Sequence, residues 1–465
     1  MMRKKFSTLA VLLAFALSMV VLHYSYNGGS TSSFAALTFL LSSANARPAS
    51  FSPSTGNTKS VRKRGGITRE KSRLEKMEEG LARSRASIRR AILFRNYTSR
   101  KRQSYIPRGS VYHNPYAFHQ SYIEMEKRLK IWVYKEGEPP LVHDGPYSDI
   151  YSIEGQFINE MDQHGPLIAN NAEEALVYFL PFSVTIMVRF VYKKRSYDMA
   201  PLQTIVRDYI QLISTLYTYW NRTKGADHFM LSCDDWAPYA ARKDQDLFRN
   251  SIRVLCNANS SEGFNPKKDV PLPEFNIRNF ELPAPIDNSS PPSSKTILAF
   301  FAGGNHGAIR HELLQQWKGK DSQVLVFHRL PKGQNYTELM LKSKYCLCPS
   351  GYEVASPRIT EAILVGCVPV LISESYVLPF SDVLDWSQFS LSIPVSRIPE
   401  IKEILSAIPE SIYLKLQSNV LKVQRHFVIN RPPKRFDVMH MLFHSIWLRR
   451  LNVNGSWLSL IQVGY

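Results

Sequence analysis

The 465-residue sequence predicts an α/β protein with two Rossmann-like domains, at 104–290 and 291–425, behind a membrane-spanning helix and a stem. Three observations lead there. Short apolar runs alternate with amphipathic helical stretches in two successive regions, the pattern of parallel sheets with crossover helices. A Pro/Ser-rich segment, Glu281–Lys295, separates those regions. An uncharged apolar run, Phe6–Tyr24, follows Arg3-Lys4-Lys5 at the start of the chain. Apolar residues make up 44% of the sequence and aromatics 12%, enough for two cores.

About 20 apolar residues span a bilayer as a helix, and basic residues ahead of the span hold the N-terminus in the cytosol. The expected topology is therefore single-pass type II. Residues 1–5 form a cytosolic tail, 6–24 a transmembrane signal-anchor and 25–103 a stem. A cleaved signal peptide is the competing reading, but the A-x-A sequence Ala44-Asn45-Ala46 lies too far beyond the apolar run. The net charge of +19 resembles a nucleic-acid footprint until it is located. Residues 1–110 carry 21 Lys/Arg and 4 Asp/Glu (+17), whereas the remaining 355 carry 37 and 35 (+2). The excess lies outside the predicted catalytic body, and nucleic acid is not an expected partner. Sequons at Asn96, Asn221, Asn259, Asn288, Asn335 and Asn454 suit lumenal exposure. Of the five cysteines (Cys233, Cys256, Cys346, Cys348, Cys367), at most four can pair internally. Cys346-x-Cys348 lacks zinc spacing, so each cysteine reads as a buried thiol or a disulfide partner.

Within the stem, Leu74, Met77, Leu81, Ile88 and Ala91 share a helical stripe that Ser84 interrupts and Gly80 weakens. One helix docking on the body is expected in preference to a coiled coil. Lys130–Tyr134, Ala175–Leu180, His228–Leu231 and Arg253–Cys256 read as buried strands, with helices such as Pro201–Trp220 between them. After the Pro/Ser break, Thr296–Ala302 reads as a strand, Gly303–Gly307 as a glycine-rich turn and Ala308–Trp317 as a helix. Strands at Gln323–Arg329 and Phe389–Ile393 complete the second domain. Helices near 400–418 and 436–451 follow, and residues 426–465 are expected to pack back on the body.

The most informative stretch is Ser343–Ile372. It reads as a buried strand (Tyr345–Leu347), a turn (Pro349–Gly351), and a loop bearing Ser356 and Arg358. An amphipathic helix with Glu361 in its first turn and a second buried strand (Val368–Ile372) follow. Such a unit places helix N–H groups and loop side chains at the carboxyl edge of a parallel sheet, where α/β sheets bind nucleotides and phosphates. Gly303–Gly307 with Arg310 is a second candidate phosphate cradle, though it matches neither a Walker loop nor G-x-G-x-x-G.

These residues resemble the exostosin-type glycosyltransferases (family 47), in particular the plant branch. The matching elements are Ser343, Tyr345-Cys346-Leu347, Pro349, Gly351, Ser356, Arg358, Glu361-Ala362 and Gly366-Cys367-Val368-Pro369-Val370. Ala302-Gly303, Gly307 and Arg310 match a further family element, and the likeness runs from about Tyr112 to about Pro394. The resemblance implies a GT-B fold, two Rossmann-like domains facing a cleft, in a Golgi type II membrane protein. It also implies transfer with inversion from a nucleotide-sugar, usually a UDP-sugar, to a cell-wall polysaccharide or glycan. The donor then binds the C-terminal domain through Arg310, Arg358, Glu361, Ser356, Gly351 and His306, with Arg310 on the diphosphate and Glu361 on the ribose. No metal or other cofactor is expected, because arginines and helix dipoles can stabilise the leaving diphosphate.

On the acceptor side, Asp235 is the candidate base. It stands in ADHFMLSCDDWAP, where Asp234 replaces a His common in the family. His143-Asp144 and Tyr151–Phe157 also match the first-domain pattern. Asp244-Gln245-Asp246 spells the metal signature of the other major glycosyltransferase fold, but in a polar segment that reads as a solvated face. Asp234 leaves open a non-catalytic family member serving as partner subunit of a glycosyltransferase complex. Homo- or hetero-oligomers with other glycosyltransferases fit either reading.

Overall fold

The computed structural model describes residues 71–97, 105–163, 165–286 and 294–453. The tail, the signal-anchor, most of the stem and the sequons at Asn288 and Asn454 lie outside them. Among the described residues, no helix is long and apolar enough to cross a membrane.

Two five-stranded parallel sheets organise this part of the chain. The first contains β1 (Ile131–Val133), β2 (Val177–Phe179), β3 (His228–Ser232), β4 (Ile252–Leu255) and β5 (Val270–Pro271), adjacent in that order. A parallel bridge from Ile131 to Ile168 places the intervening chain on the outer side of β1. The winding direction therefore reverses between β1 and β2. The second sheet contains β6 (Ile297–Ala302), β7 (Val324–Phe327), β8 (Ser343–Pro349), β9 (Val368–Ile372) and β10 (Leu391–Ser392). Its order is β7-β6-β8-β9-β10, so direction reverses between β6 and β8. Each sheet is doubly wound, and such sheets bind ligands outside the carboxyl ends of their strands at the reversal.

Burial on both faces explains why these strands read as continuous apolar runs. In β2, Val177 and Phe179 join one core while Tyr178 joins another on the opposite face, the period of two that a strand imposes. Helices α1 (Arg73–Phe94), α2 (Pro115–Arg128) and α3 (Ser152–Asp162) contribute to the first core. Helices α4 (Val184–Val191), α5 (Ala200–Leu216) and α6 (Thr218–Thr223) cover the other face. The second sheet carries α7 (Ala308–Trp317), α8 (Tyr336–Leu341), α9 (Pro357–Leu364), α10 (Ile401–Ser406) and α11 (Glu410–Val423). The last helix, α12 (Val438–Asn452), is buried nearly all round. Its Arg449 donates to the Asp269 carbonyl of the first domain (2.9 Å) and to Asp382 of the second (2.9 Å). One side chain thus ties both domains.

Two expectations need correction. The stem does not run to residue 103, because α1, the helix expected to dock on the body, is built into its core. Ser72 and Glu75 form a reciprocal capping box at its start, and Leu81 and Ile88 are fully buried. Ser84 sits in the interface and donates to the Gly80 carbonyl (3.1 Å) and to Glu124 (2.9 Å). At Gly80 a Cβ would lie 3.2 Å from the Arg128 guanidinium, so the residue that weakens the helix also lets a neighbour approach. Arg450 pairs with Glu78 (2.7 Å), locking α12 onto α1. Second, Glu361 is not in the first turn of its helix. With Ser356 as N-cap and Pro357 as first residue, it falls in the second turn of α9.

Disulfides join Cys233 to Cys256 and Cys346 to Cys367, while Cys348 remains a buried free thiol. The first links the carboxyl ends of β3 and β4; the second links β8 to the residue preceding β9.

Candidate active site

The carboxyl ends of β6 and β8 diverge at the reversal of the second sheet, and the loops that follow them form one wall of a cleft of about 640 Å³. That volume suits a nucleotide-sized ligand. Gly307 caps α7 with φ +88°, and a Cβ there would lie 2.3 Å from the Gly351 carbonyl oxygen. The two loops therefore cross backbone to backbone. At Gly303 a Cβ would lie 2.3 Å from Nη2 of Arg358, so the missing side chain is what admits that guanidinium.

Arg358 stands in the first turn of α9. Its Nη1 donates to Ser356 Oγ (3.2 Å), its Nη2 donates to the Ala302 carbonyl (3.2 Å), and its guanidinium lies over the Phe301 ring (5.2 Å). Its Nε is buried without a partner. Arg310, on α7, donates from Nε to the Pro349 carbonyl (3.3 Å) and is 7% exposed. Burial, and then the Arg358 charge, hold Arg310 down to about 10. Two arginines lining one cleft, one with a buried donor unpaired, have the chemistry to receive an anion. Glu361 is no salt-bridge partner of Arg358; its carboxylate accepts from the Tyr336 hydroxyl (3.0 Å). Burial and Glu361 push that phenol up. His306 lines the same wall, its ring edge-on to Tyr352 (5.9 Å). Ser356 is buried and acts through Arg358 rather than by lining the cleft.

The opposite wall belongs to the first domain. Asp235 follows β3, and Glu274 follows β5. Burial raises the Asp235 carboxyl, while a hydrogen bond from Tyr151 opposes the shift. Burial, and then Asp235, push Glu274 up to about 8 against the pull of Arg358 and Arg310. The Glu274 carbonyl also accepts from Thr360 of α9 (2.8 Å), bringing this wall against the arginine-bearing helix. Glu353, from the loop after β8, accepts from Asn257 of the first domain. Burial, Glu262 and Asp235 push it up to about 8. Asp235, Glu274, Arg310, Arg358 and Glu361 thus meet in one cleft.

Other sequence candidates lie elsewhere. Asp234 is buried beneath the cleft, where its Oδ1 accepts from the Trp236 amide (2.9 Å) and burial pushes its carboxyl up to about 7. The residue in the usual histidine position therefore organises a turn. His143 faces Asp162 (3.3 Å), and Asp144 caps its own loop. Within Tyr151–Phe157 the telling residue is the fully buried Glu154. It accepts from the Ser183, Thr185 and Ser232 hydroxyls and from the Thr185 and Cys233 amides, bracing the chain under Asp235. Asp244 caps a short surface helix through the Leu247 amide (2.8 Å). Among the described residues, no cluster has the make-up of a metal site. Asn96, Asn221 and Asn335 are exposed. Asn259 is buried and accepts from the Ser261 amide and hydroxyl, which leaves no room for a glycan on the folded chain.

Sequence reasoning missed Glu274, Glu353 and Tyr336. A signal existed for Glu274: a carboxylate three residues beyond a strand end, inside Val270–Glu274. Nothing local marks Tyr336.

The exostosin GT47 domain model matches residues 125–408, a span holding all five of the cleft residues named above. The chain belongs to the exostosin GT47 family. An Arabidopsis thaliana relative named probable glycosyltransferase is 53% identical over 382 residues, covering 82% of this chain and 73% of the relative. More distant is a probable beta-1,4-xylosyltransferase of the same plant, 29% identical over 259 residues, or 52% of this chain and 63% of that one. A probable glucuronosyltransferase of Oryza sativa subsp. japonica is 26% identical over 351 residues, 69% and 81% of the two chains. WaaG, a glycosyltransferase involved in lipopolysaccharide biosynthesis, shares 11% identity at a TM-score of 0.28, covering 79% of this chain and 95% of its own, too slight a likeness to bear on the fold. This GT47 protein is a glycosyltransferase.

Proposed function

We propose that this glycosyltransferase has the GT-B architecture and transfers a sugar, with inversion, from a UDP-sugar to a cell-wall polysaccharide or glycan. The observation that carries the reading is the pair Arg310–Arg358 at the reversal of the second sheet, with Arg358 Nε buried and unpaired, faced by Asp235 and Glu274. In the reaction, an acceptor hydroxyl on the first-domain side attacks the anomeric carbon. The bond to the acceptor oxygen forms as the bond to the diphosphate breaks, the hydroxyl proton passes to Asp235, and the electron pair leaves on the diphosphate. Arg310, Arg358 and the N-terminus of α9 stabilise that charge, so no metal ion is required of the protein. Glu361 accepts from the ribose hydroxyls. Glu274, protonated at neutral pH, adds no negative charge between base and leaving group. Two disulfides and three exposed sequons support an oxidising, lumenal setting, which we assign to the Golgi with the chain as a type II protein.

The test is UDP binding to the full-length protein by thermal shift, repeated with Arg358→Ala and Glu361→Ala. Stabilisation by UDP that either change abolishes supports the donor site. No shift with any nucleotide, in a folded protein, sinks it.

A further inference from the structure

Beside the donor cleft, the first domain carries a surface that the transfer chemistry does not use. Trp236 directly follows Asp235, so its backbone begins about 3.8 Å from the cleft wall. Its half-exposed ring is flanked by those of Tyr192 (5.5 Å), Tyr239 (5.9 Å) and Tyr197 (6.3 Å). Tyr197 is 76% exposed, at φ +54°. A tyrosine in the left-handed region with its ring in water is costly, and neither burial nor a cap accounts for it. A second link joins this surface to the cleft. Arg189, near the end of α4, pairs with Asp149 (2.9 Å), which precedes Ile150 of the cleft lining.

The loop bearing Tyr192 and Tyr197 also holds Lys193, Lys194 and Arg195, all exposed. Among the described residues, no carboxylate forms an ion pair with any of the three. The nearby Asp198 accepts from the Ala200 amide instead. Arg242 lies over the Tyr239 ring (4.0 Å) and adds a further cation.

A sugar ring has an apolar face of C–H groups and a polar edge. It can stack on an aromatic ring while its hydroxyls stay hydrated. Adjacent cations with no internal partner favour a chain that also bears carboxylates. We propose that Tyr192, Tyr197, Trp236 and Tyr239, with the Lys193–Arg195 rim, form an acceptor subsite for an acidic polysaccharide containing uronic acid residues. The subsite rests on the glycosyltransferase reading above and extends it to the class of acceptor. The rings hold the chain beside Asp235, and the rim selects acidic over neutral polymers.

The test uses the full-length protein in detergent, with biolayer surfaces carrying polygalacturonate or unsubstituted xylan. The N-terminal 110 residues, at +17, can bind any polyanion, so the decisive variants leave charge unchanged. Tyr197→Ala and Trp236→Phe are expected to weaken polygalacturonate binding about tenfold and threefold. Lys193→Ala/Lys194→Ala/Arg195→Ala should weaken polygalacturonate binding about tenfold and leave xylan binding unchanged, so that only the preference supplied by the N-terminal charge remains. UDP-induced thermal shifts should match wild type in all three variants, which also reports that each is folded. Unchanged polygalacturonate binding by Tyr197→Ala, with the UDP shift intact, overturns the subsite and leaves the donor site standing. Equal binding of xylan and polygalacturonate by the wild type overturns the acidic preference. Absence of any UDP shift in the wild type brings down the reading on which the subsite rests.

Discussion

Two glycines 4 residues apart in the Gly303–Gly307 turn should separate donor binding from folding. At Gly303 the added methyl of Gly303→Ala would sit 2.3 Å from Arg358 Nη2, the far end of a flexible side chain, and 3.0 Å from the edge of the Phe301 ring. The guanidinium can swing away, losing its 3.2 Å bond to the Ala302 carbonyl and its place in the cleft wall. One misplaced charge-assisted contact is worth about 1.5–3 kcal/mol, or roughly 10- to 100-fold in UDP affinity. Stability should change by less than about 1 kcal/mol, because the side chain that moves borders an open cleft. At Gly307 the same methyl would meet the Gly351 carbonyl oxygen at 2.3 Å, at a φ of +88°. Backbone cannot swing away. With ψ at 165° this is a backbone conformation reserved for glycine, which costs another residue about 1–3 kcal/mol, and separating the crossed loops adds to it, so Gly307→Ala should lower Tm by several degrees. Isothermal titration with UDP and thermal denaturation of both variants decide the matter. Wild-type UDP affinity in Gly303→Ala, or equal loss of Tm in the two, would refute the claim that the glycine exists to admit Arg358.

Further outcomes follow from the same geometry. Asp235→Asn should lower the turnover of sugar transfer by about 10²- to 10⁴-fold with UDP binding retained; near-normal turnover would move the base elsewhere. Glu274 and Glu353 carry folded pKa values of about 8, raised from 4.5. The folded state therefore holds protons that the unfolded state releases, so this stability is complete below about pH 4.5 and is lost as pH rises through 8. Thermal melts across that window should show Tm falling, and Glu274→Gln should flatten the slope while sustaining transfer at neutral pH. Leu81→Ala, at a fully buried position of α1, should cost about 2–5 kcal/mol, measured by denaturant melts; a cost below about 0.5 kcal/mol would return α1 to the stem.

The Arg431 and Arg449 side chains show where the sequence ran out. Arg431 reaches Gln156, 275 positions earlier in the chain, and Arg449 reaches Asp269 and Asp382 together. No local pattern announces such pairings. The strands of the second sheet, by contrast, were legible to within a few residues, with β9 matching its expected bounds at both ends. A strand buried on both faces must be apolar throughout, and that composition is visible without coordinates. Arg310, Arg358 and Glu361 were legible for a similar reason, since each sits on or beside the strand–turn–helix unit that positions it. Tyr336 was not, because its part comes from what faces it, and Glu274 showed only its place just beyond a strand end. The capping box that starts α1 was local, while its docking depended on Glu124 and Arg450.

The sequence alone determined the alternation of strands and helices, the Pro/Ser break between domains, the loops that line the cleft and the family. All of these are written in short windows, where backbone periodicity, glycine tolerance and burial act on neighbouring residues. Tertiary structure decided which groups α1 docks against, that Asp234 braces a turn and that Glu361 pairs with Tyr336. It also set the proton affinities of Glu274 and Glu353. Those outcomes depend on burial and on charges brought together from distant parts of the chain, and such energies exist only once the two sheets face each other.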